Sequence, residues 1–298
     1  MFGTRGWGFG IWDVTRAFRI PNPGSRIPTR LASNLLVSLV IANLATAGCV
    51  PGPLKLPGGP GTPRSDFAAL FDQATRACRG VRTLTAELSV SGRAGGQRLR
   101  GRVQAGLGAP GAVRLEAPAP LGAPLFILAA PSERGTLLLP RDRRVLYNAS
   151  VRDMLGALVG IELGAADLRA LLSGCVLPDP HPQAGREYPR GWVAIELPDG
   201  AVVWLRQAGG RWSVAAGDHA GVLVDYGQHG SAGADTPREL RVSAGAGSTA
   251  KGLDLKVSLA QVEINVPLGT EVFAVTVSPE TTPITLDELR ARGPLSRP

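Results

Sequence analysis

Leu84-Thr-Ala-Glu-Leu-Ser-Val90 is the stretch on which the fold turns. Leu84, Ala86, Leu88 and Val90 alternate with Thr85, Glu87 and Ser89. That period of two lays apolar side chains on one face of a strand and polar ones on the other. The pattern returns downstream. Leu99, Gly101, Val103 and Ala105 alternate with Arg98, Arg100, Arg102 and Gln104, and Val113 and Leu115 with Arg114 and Glu116. Strands that share one dry and one wet face predict an antiparallel sheet. Gly92, Gly95 and Gly96 fall around the turn between the first two. The unbroken apolar runs 125–130 and 136–139 suit strands with two dry faces, or strands facing an apolar cavity.

Helical signals surround this sheet. Ser65 reads as the N-cap of a helix over 66–79, in which Phe67, Leu70, Phe71, Ala74 and Cys78 share one face and Gly80 is the stop. Ser150-Val-Arg-Asp153 reads as a capping box, followed by the stripe Val151, Met154, Leu155 and Leu158 and ended by Gly160. Leu168, Leu171 and Leu172 form a second stripe, ended by Gly174. After a Pro-rich loop at 176–190, strands resume at 192–197, 201–206, 211–216 and 221–226, then at 239–242 and 253–264. Thr285-Leu-Asp-Glu288 caps a short C-terminal helix. Strands joined by short turns pair antiparallel, and each helix must bury its stripe. The predicted class is therefore α+β, mainly antiparallel β: a curved sheet or incomplete barrel with helices covering an apolar concave face. A space between them holds acyl chains more readily than polar metabolites. Its candidate lining is Leu88, Leu99, Val103, Phe126, Leu128, Leu138, Leu155, Leu158 and Leu171; plain core is the other reading of the same residues.

The 298 residues are 44% hydrophobic and only 5% aromatic, too apolar for a disordered chain. The 39 Gly and 25 Pro lack the period of collagen. A net charge of +8 invites a nucleic-acid reading, but the charges are in the wrong places. Residues 1–48 hold Arg5, Arg16, Arg19, Arg26 and Arg30 against Asp13, so half of the excess precedes the charge-free run 31–49. The remaining arginines are dispersed among acids, without the aromatic interleaving of single-strand binders. Arg141, Arg143 and Arg144 do cluster, either as a solvated turn or as a contact for anionic headgroups or an acidic carrier.

Basic residues, an apolar run and small residues at its end make a secretory signal over 1–48. The run closes on Thr46-Ala47-Gly48-Cys49, which looks like a bacterial lipobox with Cys49 as the lipidated residue; Thr46 departs from its pattern. An uncleaved signal anchor is the alternative. Residues 49–64 are rich in Pro and Gly and are expected to act as a tether. A single domain is expected over 65–298, with an extension from about 265. With Cys49 lipidated, Cys78 and Cys175 remain in an oxidising compartment, as a disulfide or as two buried thiols. His181, His219 and His229 share no metal-ligand spacing, and no nucleophile elbow, P-loop or HExxH occurs. No catalytic residue, metal or cofactor is expected.

Three stretches resemble LolB, the outer-membrane acceptor of bacterial lipoproteins, in order and spacing over 115–179, and more weakly over 65–265. They are Leu115-Glu-Ala-Pro-Ala-Pro-Leu-Gly122, Leu155-Gly-Ala-Leu-Val-Gly160 and Ala166-Asp-Leu-Arg-Ala-Leu-Leu-Ser-Gly174. Pro267-Leu-Gly-Thr-Glu-Val-Phe273 is similar to C-terminal stretches of the wider lipoprotein-localisation family, including the soluble carrier LolA. The resemblance implies a half-barrel with a helical lid over a cavity that receives acyl chains. It implies that Leu121, between Pro120 and Gly122, projects from its loop and helps place cargo into a bilayer. Pro118, Pro120 and Pro124 stiffen that loop, and no charge lies between Glu116 and Glu133. A Leu121 packed back on the domain is the other reading. The chain is longer than LolB and poorer in aromatics, which leaves another amphiphile, such as a glycolipid, open as cargo. The expected protein is a monomer anchored by lipid at the periplasmic face of the outer membrane, receiving acyl chains from a LolA-like carrier. The alternative is an envelope scaffold lipoprotein that docks a protein partner.

Overall fold

A computed structural model describes residues 54–178, 180–208, 210–219, 221–227, 236–244 and 252–292. The signal-like residues 1–48, Cys49 and His229 lie outside them. The strands in chain order are β1 (Thr62–Pro63), β2 (Thr83–Ala94), β3 (Gln97–Gly108), β4 (Ala112–Ala117), β5 (Phe126–Ala130), β6 (Arg134–Leu139), β7 (Arg144–Ser150), β8 (Ala184–Tyr188), β9 (Trp192–Glu196), β10 (Val202–Ala208), β11 (Arg211–His219), β12 (Val222–Tyr226), β13 (Glu239–Ala244), β14 (Asp254–Ile264) and β15 (Thr282–Pro283). The helices are α1 (Phe67–Arg79), α2 (Val151–Val159), α3 (Ala165–Ser173) and α4 (Leu286–Arg292).

All these strands join one sheet, in the order β1-β8-β9-β10-β11-β12-β13-β14-β2-β3-β4-β5-β6-β7-β15. Every pair is antiparallel except β15 beside β7. β1 and β15 each pair on one side only, so the sheet is open, as expected. A sheet this wide accumulates strand twist and curls. The expected alternation fixes its faces. Leu84, Ala86 and Leu88 of β2, Ala105 and Leu107 of β3, and Val113 and Leu115 of β4 enter one core cluster. The same cluster takes Val193, Ile195, Val203 and Leu205 from the other half, with Phe71 of α1, Met154 of α2 and Leu171 of α3. The helices thus cover a single apolar inner face.

Local signals set the helix ends. Ser150 Oγ accepts from the Asp153 N–H at 3.0 Å, and Gly160 closes α2 with φ 71°. At α3 the Asp167 carboxylate accepts from the Gly164 N–H at 2.9 Å. Thr285 and Glu288 form the expected box before α4. The cap of α1 differs: it is Asp66 rather than Ser65, with its carboxylate held 2.7 Å from Arg64.

Two segments read as loose ends are laid onto the sheet. The final residues of the tether form β1 against β8, and Arg186 donates to the Pro60 carbonyl at 3.1 Å. The C-terminal segment crosses the outer face of the other half. Phe273 is buried against Gly108, and Arg114 donates to the carbonyls of Val272 and Ala274 at 3.3 and 3.0 Å. Beyond it, β15 pairs with β7, and Ile284 and Leu289 enter the inner core. Among the described residues, every element and the core cluster lie within 62–292.

Candidate functional site

The inner face holds most of the residues expected to line an acyl site. Leu88, Phe126, Leu128, Leu155, Leu158 and Leu171 belong to one cluster, each 7% exposed or less. They are part of the packed core here. Leu138 is a correction: it stands opposite Ile127 and Val145 on the outer face, away from the others. One residue earlier, Leu137 takes the inner position beside Leu128 and Leu146.

The helices over this face are fastened to each other. Cys78 and Cys175 form a disulfide joining the end of α1 to the residue after the α3 stop. Arg152 of α2 pairs with Asp167 of α3 at 2.9 Å. Buried Tyr226 of β12 donates its hydroxyl to the Leu171 carbonyl at 3.1 Å, and burial pushes its phenol well above the ordinary value. Arg169 of α3 donates to the Val81 carbonyl at 2.7 Å; burial lowers its guanidinium pKa, first by desolvation and then by the Arg82 charge.

One end of the sheet is less closed. The last β3–β4 pair is Gln104 with Glu116, so residues 97–103 of β3 run past β4. There the inner-face Val90, Leu99 and Val103 are only half-buried, though packed on the core. The loop 118–125 leaves β4 at the same end. At its tip Leu121 is 86% exposed, and Leu125 is also exposed. Gly122 turns the chain there with φ 79° and open space around it. Arg141, from the β6–β7 turn, donates to the carbonyls of Leu121 and Ala123, both at 3.1 Å. This brace was not evident from the sequence, where Arg141 is one of a charged cluster; only the pairing of β5 with β6 brings turn and loop together.

The arrangement places an exposed Leu beside the less closed end of an apolar inner face. Among the described residues no three His, Cys, Asp or Glu side chains are grouped to hold a metal. Among them, too, no helix is long and apolar enough to cross a membrane.

Fold and site define an open, curved antiparallel sheet with helices over one apolar face. No protein-family model matches the chain, and no curated protein matches it in sequence. Similar solved structures include a LolA superfamily protein from Nitrosomonas europaea, 11% identical, with 70% of this chain and 96% of that one covered at a TM-score of 0.47. A DUF1329 family protein from Desulfovibrio piger is 13% identical, with 71% and 98% covered at 0.45. The Mycobacterium tuberculosis lipoprotein LppX is 13% identical, with 69% and 100% covered at 0.30.

Proposed function

We propose that this is a lipid-anchored envelope protein that takes acyl chains of lipoproteins or lipids between its helices and sheet and helps deliver them to the outer membrane. The observation that carries the reading is Leu121. A large aliphatic side chain stands almost fully exposed on an uncharged loop, while Arg141 holds that loop's backbone in place. Burying such a side chain in a bilayer contributes about 1.5–3 kcal/mol. Alone that gives weak, reversible docking, which lipid on Cys49 would strengthen in the anchored protein. The half-buried Leu99 and Val103 at the same end supply an apolar way in. Transfer is non-covalent: the cargo leaves one apolar site for another, and no bond is made or broken.

The test uses the chain from residue 50. Purified protein is extracted with organic solvent, and transfer of a labelled lipoprotein from a soluble carrier to vesicles is followed. Bound acyl lipid and transfer that falls at least tenfold in Leu121→Asp support the reading. A glycolipid in the extract changes the cargo but not the site. No bound lipid and no transfer overturn the reading; a stoichiometric protein partner in their place points to the scaffold lipoprotein instead.

A further inference from the structure

The outer face of the β2–β3 hairpin carries charge that the fold does not neutralise. Arg93 and Arg98 are direct cross-strand partners. Arg100 and Arg102 follow Arg98 in the same row of β3, about 7 Å apart at each step. Like charges directly opposite each other destabilise a strand pair, so folding alone does not favour Arg93 beside Arg98. The neighbouring acids are engaged elsewhere or reach only the end of the row. Asp254 stands opposite Arg93 on β14, but both of its carboxylate oxygens accept from Arg241, at 2.7 and 2.8 Å. Glu87 reaches only Arg102, at 3.6 Å. Among the described residues, no acid pairs with Arg93, Arg98 or Arg100. All four arginines are exposed.

The row begins where the Leu121 loop leaves the sheet, because Gln104, two residues beyond Arg102, makes the last pair with β4. On the loop's other flank, Arg141 and Arg143 are exposed; the Arg143 side chain is 76% exposed and lies 4.0 Å from Glu280. Positive charge thus flanks an uncharged loop tipped by an exposed Leu. Neither β2 nor β3 carries an aromatic residue, so the row offers no stacking platform for bases. Basic side chains around an insertable apolar tip match an anionic lipid surface, where each Lys or Arg adds roughly 1 kcal/mol.

We propose that Arg93, Arg98, Arg100 and Arg102 dock the protein onto anionic phospholipid headgroups around the point where the Leu121 loop enters the bilayer. The inference rests on the membrane-transfer reading above and adds the headgroup chemistry and the residues that recognise it.

Co-sedimentation of the chain from residue 50 tests it, with phosphatidylcholine vesicles with and without phosphatidylglycerol, at low and high salt. Affinity for the anionic vesicles is expected to exceed that for the neutral ones and to fall with salt. Each Arg→Gln substitution in the row is expected to weaken anionic binding roughly fivefold. Replacing all four by Lys keeps the charge and is expected to restore binding, which separates charge from any loss of fold. Leu121→Asp is expected to weaken binding to both vesicle types, and the Arg→Gln variants only to the anionic one. Equal affinity for the two vesicle types, or anionic binding untouched by Arg→Gln while lipid transfer persists, overturns this inference and leaves the transfer reading standing. Charge-dependent binding to an acidic soluble carrier, with none to vesicles, also overturns it. Loss of transfer to every vesicle in the unsubstituted chain sinks the transfer reading itself.

Discussion

Cys78 on α1 is bonded to Cys175 just beyond α3, across 97 residues of sequence that contain β2 to β7 and two helices. The bridge ties two helices that lie over the same apolar face. Closing a loop of that length restricts the unfolded chain, and removing such a bridge typically costs about 2–5 kcal/mol. Cys78→Ala with Cys175→Ala is therefore expected to lower the urea midpoint markedly. Adding a thiol reductant to the unsubstituted chain should reproduce the drop and leave the double variant unchanged.

Gly185 of β8 lies directly under Phe67 of α1. A Cβ at 185 would stand 2.1 Å from the Phe67 Cβ. This position faces inward, and the absence of a side chain lets the helix settle on the strand. Gly185→Ala should cost about 1–3 kcal/mol by overpacking. Phe67→Gly, which removes that Cβ, should recover part of the packing loss, so a double-mutant cycle in urea should show strong non-additivity.

The same glycine marks the limit of what the sequence discloses. β2, β3 and β4 alternate cleanly because one face is dry and the other wet, and the polar caps of α2, α3 and α4 are local. In β8, Ala184-Gly-Arg-Glu-Tyr188, the inward place that a strand pattern would fill with an aliphatic is Gly185, so the segment reads as loop. β7 is hidden differently. Val145 and Leu146 are adjacent and both buried, on opposite faces, so no period of two emerges. Leu138 defeats inward assignment for the same reason: a run dry on both faces does not say which residue points where. The cover on the outer face comes from the segment around Phe273, more than a hundred residues downstream, and its own sequence gives no hint of its docking place. The apolar inner face was legible as a set of residues; the bracing of Leu121 by Arg141 depended on strand order.

Asp225 of β12 gives the fold a pH dependence opposite in sign to that of a paired carboxylate. Burial raises its pKa above 3.8, against smaller lowering effects from the Leu54 backbone and Arg241. A carboxyl whose folded pKa is raised supports the fold fully below its unfolded pKa and loses that support as pH rises through the folded value. At neutral pH the charged Asp225 therefore weakens the fold. Asp225→Asn is expected to raise the urea midpoint at pH 7, and to match the unsubstituted chain at pH 3, where Asp225 is protonated. Asp254 behaves the other way: its hydrogen bonds to Arg241 lower its pKa, and its contribution fades as pH falls through that lowered value. Asp254→Asn should accordingly lower the midpoint at pH 7.

Leu99 and Leu138 are both aliphatic strand residues, yet they should separate stability from lipid binding. Leu99 is half-buried on the inner face at the open end; Leu138 is buried on the outer face, away from the inner cluster. Leu138→Ala leaves a void and should cost about 2–5 kcal/mol, while lipid bound per folded molecule stays as it was. Leu99→Gln removes little buried area and should change stability by under about 1 kcal/mol. It places an amide at the apolar mouth, however, and an entering acyl chain must desolvate that amide without a partner, at a cost of roughly 1–3 kcal/mol. Fluorescent fatty-acid titration beside urea unfolding reads both quantities on the same samples. Lipid affinity that falls with Leu138→Ala but not with Leu99→Gln would put the acyl site on the wrong face of the sheet.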